Sequence, residues 1–253
     1  MILLLDLGNT HTHLGLANGR RLVKQADLPT SAWFGPQARR KLAGFVEGLN
    51  VQGAALCSVV PMATPLALAV VWKKWRLDAF ELTHRSLRGV GIRYPRPGTI
   101  GPDRLANAVA ARHHYGAPVV VVDFGTAVTF DVVDAQGDYA GGIIAPGLAA
   151  MTDYLHDKTA LLPRVRIRET LRIIGRSTEE AMLIGAVRGY RGLVRELIGD
   201  LKRELNARRL PVVATGGYAR LMAARLREIS AVEPGLTLEG LRLVWQAHHL
   251  PGK

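Results

Sequence analysis

The chain has 253 residues, 48% of them hydrophobic, and 33 Lys and Arg against 21 Asp and Glu give it a formal net charge of +12. That supports one large core or two modest ones, and no apolar run reaches the roughly 18 residues a membrane span needs. The basic residues are scattered, as in Arg20-Arg21, Lys73-Lys74 and Arg208-Arg209, without interleaved aromatics or a zinc-finger, RRM or KH signature; a solvated surface, also suited to anionic substrates, outweighs a specific nucleic-acid site.

Met1–Leu5 is apolar without a basic flank and is cut short by Asp6, so it reads as a buried first strand rather than a signal peptide. A tight turn leads to a second strand over Thr12–Ala17, and Asn18-Gly19 turns into a third. Helical periodicity covers Pro36–Leu49, a strand Ala54–Val60, a helix Ala63–Trp75 and a short strand Ala79–Leu82. Cys57, the single cysteine, cannot form an internal disulfide and reads as a buried small hydrophobe in a cytoplasmic protein. A second domain begins at Ala117, dividing the chain into residues 1–116 and 117–253. Its strands are expected at Pro118–Asp123, Ala127–Val133 and Tyr139–Ile144, then a long helix over Thr178–Arg208, a strand at Pro211–Ala214, and a terminal helix over Leu238–His248.

The two halves open alike. Leu4-Leu5-Asp6-Leu7-Gly8-Asn9-Thr10 aligns with Val121-Val122-Asp123-Phe124-Gly125-Thr126-Ala127, and without a gap Thr12 falls opposite Thr129. The shared strand–turn–strand context makes internal duplication the better explanation than chance. A strand ending in Asp-x-Gly brings main-chain N–H groups close to a phosphate, adds Asn9 and Thr10 as neutral donors, and offers Asp6 to hydrated Mg²⁺. A turn merely capped by Asp6 would explain one copy; the recurrence at Asp123 favours phosphate.

A third constellation is Gly98-Thr99-Ile100-Gly101-Pro102-Asp103-Arg104. Pro102 suits a first helical position, which puts Asp103 in the first turn. Complementarity to the helix dipole would account for an isolated Asp and would depress its pKa. The functional alternative makes Asp103 the acceptor of a substrate hydroxyl proton and Arg104 a carboxylate clamp.

Together these motifs resemble the type III pantothenate kinases. The likeness runs through Asp6–Thr10, Gly101–Arg104, Val121–Thr126 with Thr129-Phe130-Asp131, and Gly141–Gly147, then Leu162–Val165, Gly175–Thr178, Ala214–Gly217 and Leu238–Leu241. It implies an α/β fold of two duplicated ribonuclease-H-like (actin-like ATPase) domains with mixed sheets and a cleft between them. It also implies ATP binding by Asp6, Leu7, Gly8, Asn9, Thr10, His11, Thr12, His13 and Thr126, and close approach of Gly216 and Gly217 to the nucleotide. Pantothenate would be held by Tyr94, Gly101, Pro102, Asp103, Arg104 and Thr178, the last from this chain or a partner subunit, with Asp103 catalytic. Asp123 would bind a monovalent cation, K⁺ or NH₄⁺, and Asp6 Mg²⁺ through water. The resemblance implies a homodimer catalysing the first step of coenzyme A synthesis.

His11 and His13 lie where the family varies; they share a strand face with no third ligand evident, and solvent-facing or packed histidines are the expectation. A threonine is expected where Val128 stands, and Met151–Lys158 is more polar than the family usually shows. The competing readings are a kinase for another small hydroxyl substrate and a non-catalytic regulatory homologue. Gly101–Arg104 and Thr178 weigh against the former, and retention of Asp6, Asp103 and Asp123 against the latter.

Overall fold

The computed structural model describes residues 1–249. They form two compact units: Met1–Gly116 with Gly137–Ala140 and the chain from Gly235 onward, and Ala117–Gln136 with Gly141–Pro234.

In the first unit, β1 (Ile2–Leu7), β2 (His11–Ala17) and β3 (Leu22–Pro29) form an antiparallel meander. β4 (Gly53–Ser58) and β5 (Phe80–Glu81) add in parallel beyond β1, for the order β3-β2-β1-β4-β5. Side chains alternate across a strand. Leu3, Leu5 and Leu7 therefore join a core with α1 (Pro36–Phe45) and α2 (Thr64–Trp75), through Ala38, Leu42, Ala67 and Val71. Leu4 faces the other way, with Leu238 of α8 (Leu236–His249) beside it. With both faces covered, β1 has no polar alternation, which is why Ile2–Leu7 reads as an almost unbroken apolar run. β6 (Gly91–Ile92) pairs in parallel with Asp138 and Tyr139, which begin β9 (Asp138–Pro146) and group with this unit.

The second unit repeats the plan. β7 (Val119–Phe124) pairs antiparallel with β8 (Ala127–Val133) and parallel with β10 (Val212–Thr215), which pairs in parallel with β11 (Ala231–Val232). The order β9-β8-β7-β10-β11 matches β3-β2-β1-β4-β5 strand for strand, so the duplication is a property of the topology as well as of the sequence.

One detail of the sequence alignment is corrected. Asp6 pairs with His13, whereas Asp123 pairs with Thr129. Three residues separate β1 from β2 but only two separate β7 from β8, so the structural counterpart of Thr129 is His13, and that of Thr12 is Val128. A one-residue slip reverses every side chain across a strand; the gap restores buried Thr12 to buried Val128.

Most expected elements stand within a residue or two, with exceptions that have local causes. The first helix stops at Phe45, short of Leu49, ahead of the left-handed Gly48. The long helical run ends at Glu204 rather than Arg208, where Asn206 turns left-handed at φ 47°. Within that run, α5 (Thr178–Ile184) passes through a π-helical turn, Gly185–Gly189, into α6 (Tyr190–Glu204). The polar segment after Gly147 is a helix, α4 (Leu148–Lys158). Residues 159–177 that follow have no regular structure; Glu169 fixes them to α6 by a bidentate pair with buried Arg191, at 3.0 and 2.6 Å, which lowers the Glu169 pKa. A short helix, α7 (Ala219–Ala223), lies between β10 and β11.

α8 lies late in the chain yet packs in the first unit against α3 (Pro102–Tyr115). Gly240 makes this crossing possible: a Cβ there would lie 2.9 Å from Ala106 Cα and closer still to its carbonyl. Nearby, Thr237 donates to buried Asn107 at 2.8 Å, and Arg242 pairs with Glu239. Gly240→Ala is expected to force the helices apart at a cost of about 2–3 kcal/mol, read as a lowered denaturant midpoint.

Candidate functional site

The first-unit site begins where β1 stops. Gly8 N–H donates to His11 O at 3.0 Å and closes the turn, leaving Asn9, Thr10 and His11 exposed. Behind the turn, Thr30 Oγ1 donates to Gly8 O at 2.6 Å and Thr30 N–H to Thr10 O at 3.0 Å. Trp33 Nε1 donates to Thr12 Oγ1 at 3.0 Å, and Thr12 in turn meets Thr30. Thr12 is fully buried, so its hydroxyl braces the loop from within. Leu7 is equally buried and offers the site only its main chain. Nothing in the sequence marked Thr30 or Trp33; they sit in the 3₁₀ turn after β3, with no motif of their own.

Asp6 is buried, and Cys57 Sγ lies 3.4 Å from its Oδ1. Burial pushes the Cys57 thiol well above its ordinary pKa, and the charges of Asp6 and Asp103 push it further. The thiol was expected to be an inert hydrophobe; its register opposite Asp6 on β4 gives it a polar partner instead.

Asp103 sits at the second position of α3, after Gly101 and Pro102. Its Oδ1 accepts from Arg104 N–H at 2.8 Å. The sequence suggested a pKa depressed by the helix dipole, and the opposite holds. Desolvation raises it, outweighing the lowering by the Arg104 N–H and guanidinium. The Arg104 guanidinium lies 5.8 Å from the centre of the Tyr139 ring, and Tyr94 meets Tyr139 edge-on at 6.3 Å. Tyr94 is 38% exposed while Tyr139 is buried. An aromatic patch therefore backs the arginine beside the carboxylate. Tyr139 was not foreseen, although an aromatic just after the Gln136-Gly137 turn was the available signal.

The second unit ends β7 in the same way. Gly125 N–H donates to Ala127 O at 3.1 Å, and Thr126 is exposed. Gly216 has φ +87°, and a Cβ there would meet Asp123 Oδ1 and lie 2.7 Å from the Phe124 carbonyl carbon. Its lack of a side chain is thus required by the loop itself, while Gly217 has open space. Thr178 begins α5 and is exposed; Ser177 caps that helix by accepting from Glu180 N–H at 3.2 Å.

His11 and His13 are solvent-facing, and His13 bonds Asp27 at 2.7 Å. His113, His114, His248 and His249 are exposed. Among the described residues, no group of three or more His, Cys, Asp or Glu could form a metal cage.

A family model described as Type III pantothenate kinase matches residues 2–200. The chain belongs to that family. The type III pantothenate kinase of Akkermansia muciniphila is 48% identical over 95% of this chain and 96% of its own length. That of Methylacidiphilum infernorum is 43% identical, over 96% and 87%. Among solved structures, a protein described as a 2-dehydro-3-deoxygalactonokinase from Sinorhizobium meliloti superposes with a TM-score of 0.62 at 15% identity, covering 100% of this chain and 98% of that one. A protein described as a Baf family transcriptional activator from Campylobacter jejuni gives 0.62 at 20%, covering 97% and 98%. At these identities the likeness is one of fold alone.

Because the folded Asp103 carboxyl keeps its proton to higher pH than the unfolded one, stability falls as pH rises from the ordinary carboxylate value through the raised one. At neutral pH the charged group therefore costs stability. Asp103→Asn is expected to raise the thermal midpoint at pH 7, a gain that vanishes near about pH 3, where both states carry the proton; scanning calorimetry at the two pH values reads it.

Proposed function

We propose that the chain transfers the γ-phosphoryl group of ATP to the primary hydroxyl of pantothenate, giving 4′-phosphopantothenate, the opening step of coenzyme A synthesis. The observation that carries the reading is Asp103: a desolvated carboxylate with a raised pKa in the same unit as the Asp6 loop, next to an arginine backed by Tyr139. Phosphoryl transfer depends mainly on positioning and charge stabilisation. Asp103 orients the hydroxyl and accepts its proton as the bond to phosphorus forms, a task that a raised pKa suits better than an ordinary aspartate's. Arg104 pairs with the pantothenate carboxylate, and Tyr94 and Gly101-Pro102 line that subsite.

The Asp6–His13 loop takes the ATP phosphates, with Asn9, Thr10 and His11 at its open edge and Thr12 bracing from behind; Thr126, exposed on its own loop, is assigned a further ATP contact. A single buried carboxylate fits Mg²⁺, which keeps much of its water and completes its shell with phosphates. Asp6 is the residue that would hold it, and the ion would neutralise phosphate charge. Asp123, flanked by Gly125 and Gly216, suits a monovalent cation. No helix among the described residues is long and apolar enough to cross a membrane, and a buried free thiol at Cys57 suits the cytoplasm.

We also assign the chain to a homodimer. The second unit exposes Met151, Tyr154 and Leu155 on α4 and Leu161, Leu171, Ile173 and Ile174 on the irregular segment before Thr178, with Leu161 91% and Ile174 78% accessible. Isolated exposed apolar residues are ordinary, whereas a concentration of this kind marks an association surface, and a second copy would bring its own Thr178 alongside.

Pantothenate-dependent ADP release with Mg-ATP is expected in K⁺ and to be much weaker in Na⁺. Its absence in both salts overturns the assignment. Asp103→Asn is expected to lower kcat by about 10²–10⁴-fold, and the wild-type acid limb of kcat/KM should lie above the ordinary aspartate value. Ile174→Asp combined with Leu171→Asp should convert a dimer to a monomer in sedimentation velocity, without loss of the circular dichroism of the fold.

A further inference from the structure

We propose that Cys57 is a positioning residue for the Asp6 carboxylate, donating its S–H hydrogen to Oδ1 and so fixing the oxygens that face hydrated Mg²⁺. The inference rests on the reading of Asp6 given above.

Three observations converge on it. β1 and β4 run parallel with Asp6 directly in register with Cys57, so the two side chains leave neighbouring strands on the same face. The sulfur lies 3.4 Å from Oδ1, within the range of a thiol donor, and both groups are buried. Third, the molecule contains its own comparison. In the second unit, β7 and β10 run parallel with Asp123 in register with Thr215, which is also buried. Each half thus places a side chain with one donatable hydrogen opposite its loop aspartate, a thiol in one case and a hydroxyl in the other. A position needing only small apolar bulk would accept alanine, as Ala54 and Ala55 do three and two residues earlier on the same strand.

The physical role is orientation. A charge-assisted donor on one oxygen of a buried carboxylate favours one orientation of the group. Cys57 touches neither substrate nor ion in this scheme; it acts only through Asp6.

The single cysteine makes the test direct, because any S–H stretching band in the infrared belongs to Cys57. In the wild-type protein the band is expected at the lowered frequency of a bonded thiol, and Asp6→Ala should return it to the free position. Calorimetric titration reads the consequence. Cys57→Ala should weaken Mg-ATP binding about tenfold, the order of one hydrogen bond to a charged group, while leaving metal-free ADP binding and pantothenate KM unchanged. Cys57→Ser, which keeps a donor, should bind Mg-ATP within about twofold of wild type. A free-thiol band in the wild type, an unchanged Mg-ATP affinity in Cys57→Ala, or a serine variant as weak as the alanine one each overturns the proposal. A wild-type protein that binds Mg-ATP but fails to phosphorylate pantothenate defeats the proposed reaction instead, and the band and the titrations still decide the role of Cys57.

Discussion

Burial of the central strands on both faces is the constraint from which the remaining features follow. β1 and β7 cannot carry a polar side chain along their length, because each face is covered. A carboxylate becomes tolerable only near the last residue, where the strand leaves its cover and the turn begins. Asp6 and Asp123 stand at that position in their units, each on a strand flanked by one antiparallel and one parallel neighbour. Open α/β sheets place ligand sites at the carboxyl ends of their strands for the same reason. The two loop carboxylates of this chain therefore stand where the core runs out.

What surrounds those carboxylates is graded by burial. The Asp6 turn is held from behind by Thr30, Thr12 and Trp33, all of them covered, so the loop backbone is fixed without using its exposed groups. Fixed dipoles of this kind need little reorganisation when a charged ligand arrives, and the benefit grows as water is excluded. Asp103 shows the other side of the same condition. Desolvation works against its charge in the resting protein and makes it more basic, so a feature that destabilises the fold also fits it to accept a proton.

Much of the architecture was legible because strands buried on both faces, glycine turns and the Pro102 helix start are local signals. The duplication was visible in one short match, although its gap was not. Placing that gap required the strand register, because nothing in Thr10-His11-Thr12-His13 says which residue pairs with Asp6. The residues that were missed share one property: they act across distance in the chain. Thr30 and Trp33 reach the loop from beyond β3, Tyr139 reaches Arg104 from β9, and Cys57 reaches Asp6 from β4. The basicity of Asp103 was misjudged for a related reason. The helix dipole can be read from position in sequence, whereas desolvation depends on everything that packs around the group.

The return of α8 to the first unit has a consequence for how the protein is made. The residues of α8 belong with β1 and β4, strands synthesised more than 170 residues earlier. While the ribosome is still extending the second unit, the face of β1 and β4 that α8 will cover has no partner, and α3 lacks the helix it crosses. The second unit, from Ala117 to Pro234 apart from Gly137–Ala140, has no such dependence. Vectorial synthesis therefore delivers the half that begins later as the half that can finish first, while the N-terminal half keeps an apolar face uncovered until α8 has been made.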